Sequence, residues 1–194
     1  MQSRAVVPRS VLAILASFSL SFAVVAADLD IPGVRNFHQV DAHVYRGAQP
    51  DPEGFKSLAK MGIRTVIDLR GESKARPEQK LVEAAGMHYV SVPMAGLTAP
   101  TDQQIGTIFA LLNDPSAWPI FVHCRRGADR TGTVIACYRV AHDHWDNQKA
   151  LREARMNGMS RIEHAMMHYI LSFKAAASES TAAKGPIAPA AANP

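Results

Sequence analysis

The chain is poor in cysteine. Its 194 residues include two, Cys124 and Cys137. Two cysteines in one short stretch cannot form the disulfide framework of a small secreted scaffold, which joins distant segments. No CxxC pair and no Cys/His spacing of a zinc site occurs, so neither a structural metal nor a cofactor is expected. Charge of one sign is nowhere concentrated. The net charge of +4 comes without the dense basic block of a nucleic-acid binder, so no nucleic-acid partner is expected. A mild positive surplus does suit small anions, through the field of the whole surface. Internal repeats are absent. The length fits one domain with a sizeable core, read here as a monomer.

No apolar run is long enough to span a membrane. The longest, Val11 to Val25, has 15 residues, against the roughly 20 that a spanning helix needs. Arg4 and Arg9 precede it, the small residues Ala26-Ala27 follow, and Asp28 is the first acid. This order is that of a secretory signal peptide over residues 1–27, cut after Ala26 or Ala27. The expectation is an exported protein, periplasmic or secreted, with no membrane anchor after cleavage. Residues 175–194 are rich in Ala, Pro and Ser without apolar periodicity, and read as a disordered tail. The folded domain is then residues 28–174.

Within it, short apolar runs alternate with helical patterns. Strands are expected at Val44–Arg46, Arg64–Leu69, His88–Val92 and Ile120–Val122. Phe55, Leu58, Ala59 and Met61 have helical spacing. A helix is expected from Pro77 to Ala85, with proline in its first turn. Another opens at Thr101-Asp102-Gln103-Gln104 with a capping-box pattern and buries Ile105, Ile108, Phe109 and Leu112. Three more follow, Thr131–His142, Asp146–Met156 and Ile162–Phe173. Such alternation implies an α/β fold, with a central, mostly parallel sheet flanked by helices.

The chemistry concentrates between Pro119 and Tyr138. A buried strand ends at Val122, a tight loop runs from Cys124 to Arg130, and a helix begins at Thr131-Gly132. Ligands of open α/β sheets bind beyond the carboxyl ends of the strands, where this loop must lie. Its amides can converge on an anion, helped by the helix N-terminus behind them. The same positive potential favours the thiolate of Cys124, a nucleophile. Arg130, six positions on, can turn its planar fork back to the same oxyanion. Gly127 permits a backbone angle that other residues resist. The phosphate-binding set is then Arg125, Arg126, Gly127, Ala128, Asp129, Arg130 and Thr131. Cys137 lies on the apolar helix beside Val134 and Ile135 and reads as a packing residue. A nucleotide P-loop is excluded, because its glycine spacing and Gly-Lys-Ser/Thr ending are absent.

His123-Cys124-x5-Arg130-Thr131-Gly132 resembles the signature of the protein tyrosine and dual-specificity phosphatases. Asn36-Phe37-His38-Gln39-Val40, Val44-Tyr45-Arg46-Gly47-Ala48-Gln49-Pro50 and Gly62-Ile63-Arg64-Thr65-Val66-Ile67-Asp68-Leu69-Arg70 are similar to blocks of the atypical dual-specificity phosphatases of plants, fungi and bacteria. The resemblance covers residues 34–160. It implies a dual-specificity-phosphatase-like fold, Cys124 as nucleophile and Arg130 as phosphate clamp. It further implies that Thr131 assists thiophosphate hydrolysis and that His123 orients the loop and lowers the thiol pKa.

One part of the family pattern is missing. Its general acid is an aspartate about thirty residues before the cysteine, and Val92-Pro93-Met94-Ala95-Gly96-Leu97-Thr98 contains none. Asp102 is the catalytic acid expected here, although it also suits the first turn of a helix. Asp129 is the alternative, and Asp114 reads as a turn residue. Arg46 and Arg70 end strands and read as solvated surface residues or as further phosphate contacts. Arg125 and Arg126 are expected at the pocket rim. The substrate expected first is a phosphotyrosine protein, with an inositol polyphosphate or phosphoinositide as alternative. A phosphate-binding pseudophosphatase is the second alternative.

Overall fold

The computed structural model describes residues 30–71 and 75–175. The expected signal peptide lies outside the described residues, as does the expected tail except Ala175. No helix among the described residues is long and apolar enough to cross a membrane.

Five strands form one sheet: β1 (His38–Gln39), β2 (Val44–Ala48), β3 (Thr65–Asp68), β4 (His88–Ser91) and β5 (Ile120–Cys124), in the spatial order β1-β2-β5-β3-β4. Only β1 runs antiparallel, against β2, and the other pairings are parallel. This is the expected mostly parallel sheet. β5 lies at its centre and is buried along its whole length. An apolar run with no polar alternation is what a strand covered on both faces requires.

Alternation inside that run distributes the core. Ile120 and Val122 pack with Val44, Ile67, Ile105, Ile108, Val134 and Ile135 on one face. Phe121 packs with Val34, Phe37, Phe55, Leu58, Val66 and Val82 on the other. The first face is covered by α3 (Asp102–Leu112) and α4 (Asp129–His142), the second by α1 (Pro52–Lys60) and α2 (Ala75–Ala84). Then α5 (Asn147–Met156) and α6 (His164–Ser172) pack on the outer side of α4 through Ala136, Ala150, Leu151, Ala154, Met166 and Ile170.

Several boundaries differ from the sequence expectation. Gly47 and Ala48, beyond the expected strand Val44–Arg46, continue β2 because they pair with His123 and Cys124. The two-residue β1 exists only through its register with Tyr45 and Arg46. Helix α4 starts at Asp129, two residues before the expected Thr131.

The helix starts differ in one useful way. Asp51, Thr101 and Asp146 cap α1, α3 and α5 with their side chains, and Thr101 and Gln104 complete the expected capping box. At α4 the cap residue is Ala128, which offers no side-chain bond. The first amides of α4 are therefore not covered by a cap side chain, and a helix start of this kind suits an anion.

Candidate active site

Parallel pairing brings three strand ends level. Ala48 of β2 lies opposite Cys124 of β5, and Asp68 of β3 lies opposite His123. The Cys loop thus leaves the middle of the sheet with β2 and β3 on either side. Cys124 is buried.

The loop presses directly onto β2. Gly127 has φ +67°, and a Cβ there would sit 2.3 Å from the carbonyl carbon of Gly47 and 2.5 Å from the Ala48 nitrogen. Both atoms are backbone, so only glycine fits. The expected need for Gly127 is real, and it comes from close approach as well as from backbone angle.

The loop carbonyls are gripped from behind. Gly127 O accepts from Arg46 Nη2 at 2.6 Å and from Asn36 Nδ2 at 3.1 Å. Asn36 Nδ2 also donates to Arg126 O at 3.2 Å and to Asn157 O at 3.1 Å. Arg125 O accepts from the Gln49 amide at 3.4 Å. In a planar trans peptide the carbonyl and the following N–H point in opposite directions. Holding the carbonyls of residues 125, 126 and 127 at the rear turns the amides of residues 126, 127 and 128 toward the anion position.

Arg130 is anchored from the side. Its Nη1 donates to Leu69 O at 3.3 Å and to Met94 O at 3.4 Å, beyond the ends of β3 and β4. Its Nε and Nη2 remain for the anion, the fork that binds two phosphate oxygens. Arg130 lines a cavity of about 260 Å³ with Gln49, Arg70, Gly71 and Arg125. Arg125 is exposed along this cavity, as expected of a rim residue. Arg126 turns away, with Nη2 2.6 Å from Asp129 Oδ2 and its side chain 61% exposed. That contact raises the Arg126 pKa.

The two expected acids have other partners. Asp129 accepts from Arg126 at Oδ2 and from the Ser160 amide at Oδ1, 2.8 Å away. It ties the loop to the turn after α5. Asp102 Oδ1 accepts from the Tyr169 hydroxyl at 2.7 Å. It lines a different groove, with Ile105, Phe109 and Phe173, that contains no Cys-loop residue. The structure thus brings Arg125 and Arg130 of the Cys loop together along one cavity but does not bring Asp102 to them. The third acid, Asp114, accepts from the Ser116 amide at a short 3₁₀ turn, the role expected of it.

Arg46 and Arg70 are not the solvated surface residues of one reading, and Arg70 lines the cavity, as the other reading requires. Both are buried. Arg46 stands behind the loop, and its Nε and Nη1 have no hydrogen-bond partner among the described residues. Burial pushes its pKa down to about 10, against the pull of Glu153 and of Cys124. Arg70 lines the cavity, and its rear is held by Asp68 and Glu78. Burial alone would raise the Asp68 pKa, but hydrogen bonds from Arg70 and the nearby His123 hold it below the usual carboxylate range.

Asp68, Glu78 and His123 offer three ligand-type atoms within 4.8 Å of one another. The guanidinium of Arg70 bonds both carboxylates. A cation therefore already stands where a metal ion would be needed, and the set reads as an ion-pair cluster. Thr131 is fully buried, and its hydroxyl has no partner among the described residues. Cys137 is buried in α4 as expected, and burial drives its thiol pKa up.

Sequence reasoning assigned no role to Asn36 or Glu78. Asn36 has φ +52°, a left-handed conformation that asparagine tolerates better than most residues. It also lies in one of the blocks that carry the family resemblance. Nothing in the local pattern around Glu78 marks it, because its neighbours come from β3 and β5.

A protein-family model described as "PTP-NADK: DSP-PTPase phosphatase fused to NAD+ Kinase" matches residues 21–170. Inositol diphosphatase DSP3 of Arabidopsis thaliana is 29% identical over 142 residues, covering 71% of this chain and 70% of that protein. Dual specificity protein phosphatase TpbA of Pseudomonas aeruginosa is 26% identical over 124 residues, covering 63% of this chain and 55% of that protein. The chain thus spans about half the length of TpbA. The core catalytic domain of the PP-IP phosphatase SIW14 from S. cerevisiae, solved with citrate, superposes with a TM-score of 0.66 at 21% identity, covering 75% of this chain and 89% of that one. The cradle around Cys124 and a family match over most of the sequence agree: this protein belongs to the DSP-PTPase phosphatases, the cysteine-dependent phosphoric monoester hydrolases.

Proposed function

We propose that the protein acts on a small molecule dense in phosphate, an inositol polyphosphate or inositol diphosphate, through a cysteinyl-phosphate at Cys124. One observation carries this reading. The cavity is lined by Arg70, Arg125 and Arg130 with Gln49 and Gly71, and no carboxylate or aromatic ring among the described residues lines it. A phosphotyrosine slot needs an aromatic wall to hold the ring. Several arginines instead suit several phosphates.

In the reaction, the Cys124 thiolate attacks phosphorus in line with the leaving oxygen. The loop amides and the fork of Arg130 hold the three equatorial oxygens as charge shifts onto them. Water then cleaves the S–P bond, beside the buried Thr131 hydroxyl. A phosphate leaving group departs as a stable anion without a proton, so a phosphoanhydride suits a pocket with no acid among the described residues that line it. DSP3, named an inositol diphosphatase, favours this reading. TpbA, named a dual specificity protein phosphatase, favours the second one, a phosphoprotein.

The deciding measurement is kcat/KM on an inositol diphosphate, an inositol polyphosphate and a phosphotyrosine peptide, for wild type and Arg125→Ala. We expect the substitution to cost most on the inositol substrates, on the scale of a charge-assisted hydrogen bond, about 1.5–3 kcal/mol. Equal losses on all three would leave the phosphoprotein reading in its place. The N-terminal pattern supports export, and N-terminal sequencing of the native protein, starting at Ala27 or Asp28, tests it.

A further inference from the structure

Behind the Cys loop lies a buried polar group that the phosphoryl chemistry does not use directly. Its members come from different elements. Asp68 ends β3, Glu78 lies in the first turn of α2, Tyr89 is on β4, and His123 precedes the nucleophile on β5. Asp68, Glu78 and His123 are each at most 3% exposed. Charged groups this deep are costly unless each is paired and hydrogen-bonded.

Asp68 is fully engaged. It accepts from the Arg70 amide and Nε at 2.9 Å, from Arg70 Nη2 at 2.7 Å and from the Tyr89 hydroxyl at 2.8 Å. Glu78 is different. Its Oε2 accepts from Arg70 Nη2. Its Oε1 lies 2.8 Å from His123 Nε2 in an ion-pair contact whose angle falls outside hydrogen-bond geometry, and neither atom has a hydrogen-bond partner among the described residues. Asp68 is 4.0 Å from the same nitrogen. The imidazole is fixed in plane by Phe121, whose ring stacks on it with centroids 5.7 Å apart. On its other side, Nδ1 reaches Cys124 O at 3.4 Å.

We propose that Glu78 is a positioning residue of this phosphatase. Its Oε1 pairs by charge with Nε2 of the His123 imidazolium, so the ring presents its Nδ1–H to the Cys124 carbonyl. That carbonyl is kept at the rear, and the Arg125 amide, on the same peptide, faces the anion. The other oxygen of Glu78 holds Arg70, which lines the phosphate cavity. One carboxylate on α2 thus links the peptide after the nucleophile to a second cation of the pocket. This inference rests on Cys124 being the nucleophile and is independent of which phosphate compound is the substrate.

The test uses the full chain with Glu78→Gln, Glu78→Asp, His123→Asn and the double variant Glu78→Gln/His123→Asn. Turnover of p-nitrophenyl phosphate is measured, and so is the His123 imidazole N–H signal by NMR. Wild type should show a solvent-protected Nε2–H that is lost in Glu78→Gln. In Glu78→Gln kcat should fall about tenfold or more, with KM changed less than about threefold, since the amides of α4 and Arg130 still hold the phosphate. Glu78→Asp, which keeps the charge, should recover part of kcat. The double variant should be no worse than His123→Asn. A His123 signal unchanged in Glu78→Gln overturns the proposal, as do losses that multiply in the double variant. If Glu78→Gln does not fold, Glu78→Asp decides: a lost His123 signal with lowered kcat supports the link, and wild-type values of both overturn it. If wild type itself shows no turnover that Cys124→Ser removes, the phosphatase reading fails, while the NMR signal still decides the Glu78–His123 link.

Discussion

The Cys loop has two sides of opposite character. At the front, Arg125 and Gln49 are exposed along the cavity and Arg126 is exposed but turned away from it. At the rear, Arg46, His123 and Glu78 are buried, and Asn36 is partly so. Front side chains reach outward and one of them, Arg126, is paired with a residue of its own loop. Rear side chains hold backbone carbonyls or one another. On the function proposed above, the front sets which phosphate compound is preferred, and the rear sets whether the amides point at any phosphate at all. Arg46 makes the contrast plain. Its burial pushes its pKa down to about 10, and its Nη2 bonds a loop carbonyl rather than reaching solvent.

The largest effect belongs to the nucleophile, which both sides serve. Cys124→Ser should reduce p-nitrophenyl phosphate turnover to background without loss of phosphate binding, read by turnover and by protection against heat with inorganic phosphate. Activity that survives the substitution would remove the basis for comparing the two sides.

Next comes a direct contest between rear and front. Arg46→Met removes a donor to Gly127 O and a poorly compensated buried charge. We expect kcat/KM to fall about 10- to 100-fold, the scale of one hydrogen bond to a charged group, with a melting temperature equal to or above wild type. Arg126→Ala should cost less than about threefold, as a largely exposed ion pair is worth little. Equal losses in the two variants would break the distinction.

A smaller effect concerns the ion pairs behind the loop under acid. Asp68 titrates below its unfolded value because Arg70 and His123 outweigh the burial penalty. A depressed carboxylate contributes stability above its unfolded pKa of about 4 and loses it as pH falls through the folded value. The urea midpoint of wild type should therefore drop below about pH 4 more steeply than that of Asp68→Asn, which should already be the less stable protein near neutrality. Parallel curves would mean that the pairing does not stabilise the fold.

The smallest expected effect is that of Asp102→Asn, within about twofold on any substrate, because its carboxylate faces Tyr169 in another groove. A loss of about 10²-fold confined to poor leaving groups, the worth of a general acid, would put the proton donor there after all.

Much of the fold was legible beforehand. The β-branched runs before Leu69 and Val122 and the Thr101–Gln104 capping box are local signals, and all appear in the structure. The span from Cys124 to Arg130 was legible for the same reason, since a loop of this length closes on itself. What stayed hidden depended on residues distant in the chain. Arg46 and Gly127 are 81 positions apart, and Asn36 meets Asn157 across 121. Arg46 looked like a strand-end surface residue because nothing nearby shows what covers it.

By itself, the sequence determined a parallel α/β core and a thiol set in an anion-binding loop, because strand periodicity and loop closure are properties of neighbours along the chain. Only the tertiary structure decided which way the loop peptides face. That orientation depends on donors from β2 and from the segment before β1, Arg46 and Asn36. The sheet order sets those elements side by side, and a buried polar group has to find its partner wherever the fold has placed one.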